Sequence, residues 1–62
     1  MNKFDLIDKA ALGDVEAAGH LAEGYLKGLH ECEINAAKAK KWATYAAKRG
    51  DERAKNVLDA LA

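Results

Sequence analysis

Proline is absent from this 62-residue chain, cysteine occurs once, and only five residues (Ile7, Val15, Ile34, Thr44 and Val57) are β-branched. Without proline, no helix interior loses an amide donor to a pyrrolidine ring. The scarcity of Val, Ile and Thr leaves little material for strands. The lone Cys32 excludes an intramolecular disulfide. The longest apolar runs are too short to cross a bilayer. No segment joins a basic start, a long apolar run and a small-residue cleavage site, as a secretory signal does. These absences set the expectation of a cytoplasmic protein with no membrane span, although a processed secreted chain would carry the same features. Aromatic residues are few as well, so most packing falls to small side chains.

Alanine fills the gap, with fourteen copies, and with no proline it makes the chain all-α. Sixty-two residues give one domain, which at this size buries only about 60% of the surface that the unfolded chain exposes. A monomer of this length is marginal unless propensity and packing favour it. Net charge is zero, yet residues 1–35 carry a net of −4 and residues 36–62 a net of +4. Such a split suits the acidic end of one copy against the basic end of another, or a basic face for an acidic partner; two solvated faces are the plainer reading.

The spacing Ala10-x-x-Gly13-Asp14-x-x-Ala17-x-x-x-Leu21 returns as Ala47-x-x-Gly50-Asp51-x-x-Ala54-x-x-x-Leu58, at an interval of 37 residues. A fixed interval of this size is the signature of a repeat architecture, in which each unit leaves an apolar side for a neighbour to cover. Four helices are predicted. The first, over 3–12, follows Asn2 as N-cap, with Phe4, Ile7 and Ala11 at helical spacing. Gly13 stops it, and Asp14 caps the second, over 15–27, whose stripe is Ala17 or Ala18, Leu21, Gly24 and Tyr25, with Gly28 at its end. Asn35 caps the third, over 36–49, with Ala39, Trp42, Ala43 and Ala46 inward. Gly50 and Asp51 launch the fourth, over 52–61, with Ala54, Val57, Leu58 and Leu61 inward. So short a turn at Gly13 and Gly50 folds each helix pair back on itself, giving two stacked antiparallel α/α hairpins in a single domain over 1–62.

The run Ala17-x-x-x-Leu21-x-x-x-Tyr25-x-x-Gly28, followed by Ala39-x-x-Trp42-x-x-x-Ala46-x-x-x-Gly50-x-x-x-Ala54-x-x-x-Leu58, resembles the Sel-like repeat, a relative of the tetratricopeptide repeat. The resemblance covers about two thirds of the chain, and the loop over 29–34 departs from the family pattern. It implies a short α-solenoid of about one and a half repeats, a curved stack of hairpins that binds other proteins as an adaptor, with no catalysis and no cofactor. Solenoids generally need three or more repeats. Three completions follow: a longer array, a partner, or stacking of copies into a homo-oligomer. Met1 at the start and Leu61-Ala62 at the end favour a free-standing small protein, and hence self-association.

Candidate chemistry is sparse. His30, Glu31, Cys32 and Glu33 offer three kinds of metal ligand within four residues, but adjacent loop positions rarely converge on one ion, no second Cys/His pair is present, and His20 lies on a helix ten residues earlier. An exposed polar loop is the favoured reading, with no metal. The neighbouring Glu31 and Glu33 would raise the titration of Cys32, against a nucleophile and for a small hydrophobe tucked beneath the loop. Lys38, Lys41, Lys48 and Arg49, with Lys40, make the third helix basic; ten acidic residues elsewhere dilute the field and count against nucleic acid. Tyr45 lies off the alanine stripe and is the best candidate for an interface anchor. The expected function is therefore a non-catalytic protein-interaction module that associates with itself. The alternative is a small inhibitor or regulator that docks on an enzyme or a nucleic-acid-binding complex through the basic helix 36–49.

Overall fold

Glycine in the left-handed region ends three segments of the chain and decides where it turns. The computed structural model describes residues 2–62, and in it φ is 95° at Gly13, 77° at Gly28 and 92° at Gly50. Helices α1 (Lys3–Ala11), α2 (Val15–Lys27), α3 (Ala36–Ala47) and α4 (Glu52–Leu61) lie between these turns, and no strand occurs among the described residues. The first helix stops one residue short of the predicted end and the third two residues short. At that third end, the chain tightens into i→i+3 bonds from Arg49 N–H to Ala46 O and from Gly50 N–H to Ala47 O.

Each helix opens on the cap that its sequence announces. Asn2 Oδ1 accepts from Asp5 N at 2.9 Å, Asp14 Oδ1 from Ala17 N at 3.2 Å, Asn35 Oδ1 from Lys38 N at 3.0 Å, and Asp51 Oδ1 from Arg53 N at 2.9 Å. Caps of this kind are worth about 1 kcal/mol each. The two short turns are copies in their bonding. Leu12, Gly13 and Asp14 donate to Lys9, Ala10 and Lys9 carbonyls, and Arg49, Gly50 and Asp51 donate to Ala46, Ala47 and Ala46, each position 37 residues on.

The second helix is the hub, packing against each of the other three, whereas α1 touches neither α3 nor α4. Its sequence explains the position. Ala17, Ala18, Gly19, Leu21, Ala22, Gly24 and Tyr25 are all buried, an arc too wide for a helix with one covered side. Small residues on that arc let the neighbouring axes approach, and the knobs Leu6 and Leu21 fill the space between, each worth about 1.5–3 kcal/mol when fully buried. The third helix adds Ala39, Ala43 and Ala46 to the same core, and α4 adds Ala54 and Val57, with Leu58 and Leu61 half-buried at its margin. The molecule is a slab of 27 × 24 × 15 Å.

Two expectations need correction. The inward side of α1 is Leu6, Ile7 and Ala10, not Phe4, Ile7 and Ala11: Phe4 is 67% exposed, and Ala11 also faces solvent. Both sets have helical spacing, and the branched knob of Leu6 is the one that meets α2. Trp42 is half-buried rather than core, because the three alanines of α3 fill the contact with α2 and leave the indole at its rim.

Candidate functional site

The outer side of α3 gathers the cations that the sequence singled out. Lys38, Lys40, Lys41, Lys48 and Arg49 are all exposed, and among the described residues none of them forms an ion pair. Several lie over aromatic faces instead. Lys38 Nζ is 5.5 Å from the Tyr25 ring centroid, Lys41 Nζ 5.2 Å from that of Trp42, and the Arg49 guanidinium carbon 3.9 Å from that of Tyr45. Cations held over ring faces gain from the ring quadrupole while keeping their outer N–H groups available.

Tyr45 is more embedded than an off-stripe residue should be. Its ring meets Trp42 edge-on with centroids 6.4 Å apart, packs partly against the core, and is covered by Arg49, whose Nη1 also donates to the Tyr45 carbonyl at 3.0 Å. That guanidinium therefore binds a carbonyl near the end of α3 and stacks on the ring one turn back. Tyr45 and Arg49 thus form one joined unit at the surface. The repeat-motif positions sit elsewhere: Ala17, Leu21, Tyr25, Ala39, Ala46 and Ala54 are buried, Trp42 and Leu58 half-buried, and Gly28 and Gly50 form the turns.

A second cluster forms where the chain leaves α2. Gly28 N–H and Leu29 N–H both bond to Gly24 O, Cys32 N–H bonds to Leu29 O at 2.9 Å, and Asn35 N–H returns to Tyr25 O at 2.8 Å. Residues 29–32 thus make a tight turn whose central residues, His30 and Glu31, have φ of 56° and 64°, as a type I′ turn requires. Neither is glycine, so the loop holds an uncommon conformation. The turn folds His30 onto α2, where its ring meets His20 edge-on at 5.5 Å between centroids. Glu23 completes the group: one ligand atom from each of His20, Glu23 and His30 lies within 4.8 Å of the other two. Glu31 and Glu33 point away as exposed side chains, so the ligand types adjacent in sequence do not converge. The sequence did contain a signal. His20 and Glu23 are three apart on one helix face, Gly24 leaves room beside them, and Gly28 turns the chain back over that room.

Cys32 is buried, 6% exposed, beneath this loop, and its thiol faces His30 O at 3.9 Å. Burial pushes the thiol's titration up, opposed by the nearby positive charges of Lys3 and Lys38; the cause is desolvation rather than Glu31 and Glu33. Tyr25 beside it is pushed up by burial first, then by Cys32 and Glu33. Both are packing groups held in their neutral forms.

Compared with known proteins, the chain matches no family model, no curated protein and no solved structure. No helix among the described residues is long and apolar enough to cross a membrane.

Proposed function

We propose that the chain is a non-catalytic protein-binding module, a short α-solenoid of the Sel-like repeat type, that pairs with a second copy of itself through the outer face of α3. The observation that carries this reading is the set of five exposed cations on that face and just past its end, none with a carboxylate partner among the described residues. Charges left unpaired over half-buried Trp42 and Tyr45 give the face the Arg-plus-aromatic character of interface centres. The complementary charge is in the same molecule. Asp5, Asp8, Asp14 and Glu16 are exposed along α1 and the start of α2, in the half with a net of −4, together with Phe4 and the 89% exposed Leu12. Such a split favours head-to-tail or two-fold pairing. A standard interface takes about 800 Å² per partner, roughly a fifth of the 3769 Å² surface, so one face is enough. As an adaptor of this type the protein acts in the cytoplasm, where the lone thiol stays reduced.

Sedimentation velocity over a concentration series, at low and moderate salt, tests the pairing. The expected result is a dimer at low salt that weakens as screening grows, and that is lost in the Lys41→Glu, Arg49→Glu chain with its helical CD intact. Monomer at every concentration at low salt removes self-pairing. That outcome turns the same unpaired cations toward the second reading, a regulator docking on an acidic enzyme or nucleic-acid-binding complex through α3.

A further inference from the structure

We propose that His20, Glu23 and His30 form a binding site for one divalent transition-metal ion, with zinc(II) as its probe, and that the ion clasps the α2–α3 loop to α2. The site is independent of the α3 face and of what that face binds.

Two ligands come from one turn of helix and one from the loop. His20 and Glu23, at i and i+3, share a side of α2, and His30 comes from the turn above. Their ligand atoms are mutually within 4.8 Å, and all three residues are half-buried, so they are restrained yet reachable from water. A tetrahedral ion about 2.0–2.1 Å from each ligand wants them about 3.4 Å apart. Side-chain rotation through little more than about 1 Å supplies the difference, with no backbone change. Water fills the fourth position, as at zinc sites with three protein ligands.

The surroundings favour this use. His30 and Glu31 hold left-handed φ without being glycine, a conformation that persists only where the surroundings fix it and that gathers at ligand sites. Gly24 is what lets the loop sit so close: a Cβ there would lie 2.9 Å from Leu29 O and 3.4 Å from His30 Cδ2. His20 Nδ1 is buried with no hydrogen-bond partner, an uncommon state for a polar atom, while Nε2 has the Glu16 carboxylate at 3.7 Å. Carboxylates beside an imidazole orient histidines that bind metals. The competing contact, Glu23–Lys27 at 3.9 Å, is long and partly exposed, so recruiting Glu23 sacrifices little. Two imidazoles with one carboxylate suit zinc, copper(II), nickel or cobalt, whereas calcium and magnesium want oxygen throughout. Cys32 stays outside the ligand set, a buried protonated thiol facing the His30 carbonyl.

The test uses the full chain, zinc sulfate, calorimetric titration and thermal CD melts. Wild type should take up one equivalent, and its Tm should rise by on the order of 10 °C when free zinc is 100 times Kd. His20→Gln and His30→Asn, the latter tolerant of left-handed φ, should each weaken binding at least about 10-fold, with Cys32→Ser unchanged. Zinc-free CD spectra establish that the variants are folded. Histidine ring resonances of the wild type give a readout that needs no variant: both rings must shift with zinc. No saturable uptake, rings that do not move, or binding that survives both histidine changes and vanishes in folded Cys32→Ser would each overturn the site.

Discussion

The Asp51 carboxylate lies against Gly19 so closely that a methyl group on the glycine would overlap it. One oxygen of that carboxylate caps α4 through Arg53 N, and the other is buried without a hydrogen-bond partner. Two effects oppose each other in Gly19→Ala. Helix propensity in α2 gains about 1 kcal/mol. The clash either displaces Asp51, losing a cap worth about 1 kcal/mol, or overpacks the contact at about 1–3 kcal/mol. The side chain is too short to swing clear and keep its bond, so the net expectation is destabilisation by roughly 1–2 kcal/mol. Urea unfolding of Gly19→Ala, Asp51→Ala and the double variant measures it: the Gly19→Ala penalty should disappear in the Asp51→Ala background, and a penalty independent of residue 51 would show that the carboxylate is not what the methyl meets.

Gly24→Ala should be harsher, because the obstacle is backbone. A Cβ at Gly24 would stand 2.9 Å from Leu29 O and 3.0 Å from Cys32 Sγ. Leu29 O cannot retreat without breaking its bond from Cys32 N–H, so the loop lifts and costs about 1–3 kcal/mol despite the propensity gain. Faster modification of Cys32 by a thiol reagent in this variant checks the mechanism, and a loop that stays closed would leave the rate as in wild type.

Much of this architecture is legible along the chain because its punctuation is local. Asn2, Asp14, Asn35 and Asp51 each cap a helix by a bond within two or three residues, and Gly13, Gly28 and Gly50 supply turns that other residues resist. What is not local stays hidden. Phe4-Ile7-Ala11 (i, i+3, i+7) and Leu6-Ile7-Ala10 (i, i+1, i+4) share Ile7 and each fall on one side of a helix, and only the surface that α2 presents chooses between them. The cations of α3 could be listed from sequence, but their stacking on Tyr25, Trp42 and Tyr45 depends on side-chain paths. The approach of His30 to His20 depends on a turn that places two non-glycine residues at positive φ, a choice that no propensity makes.

The half-burial of Trp42 changes an expected rank order. Full burial would make Trp42→Ala cost about 3–5 kcal/mol. An indole at the rim of α3 forfeits only part of that, roughly 2 kcal/mol, together with its edge contact to Tyr45. Leu21 is smaller but wholly buried in the hub helix, so Leu21→Ala should cost about 2–5 kcal/mol. Thermal melts should therefore rank Leu21→Ala below Trp42→Ala. The reverse order would place the tryptophan, not the leucine, at the centre of the core.

Stability should fall on the alkaline side, with Cys32 leading and Tyr25 following. Both groups titrate higher in the folded chain than their ordinary values of 9.0 and 10.0, because burial disfavours the thiolate and the phenolate. Below those ordinary values both states hold the proton and no difference arises. Above them the unfolded chain releases protons that the folded chain retains, so unfolding gains free energy as pH rises from the ordinary value toward the raised one. Denaturant midpoints should therefore be level near neutrality and decline above about pH 9. Cys32→Ala should delay the onset of that decline to the range of Tyr25, at the cost of a general loss from the emptied thiol site. An alkaline slope identical in wild type and Cys32→Ala would show that the thiol is not held neutral by burial, and would shift the whole effect to Tyr25.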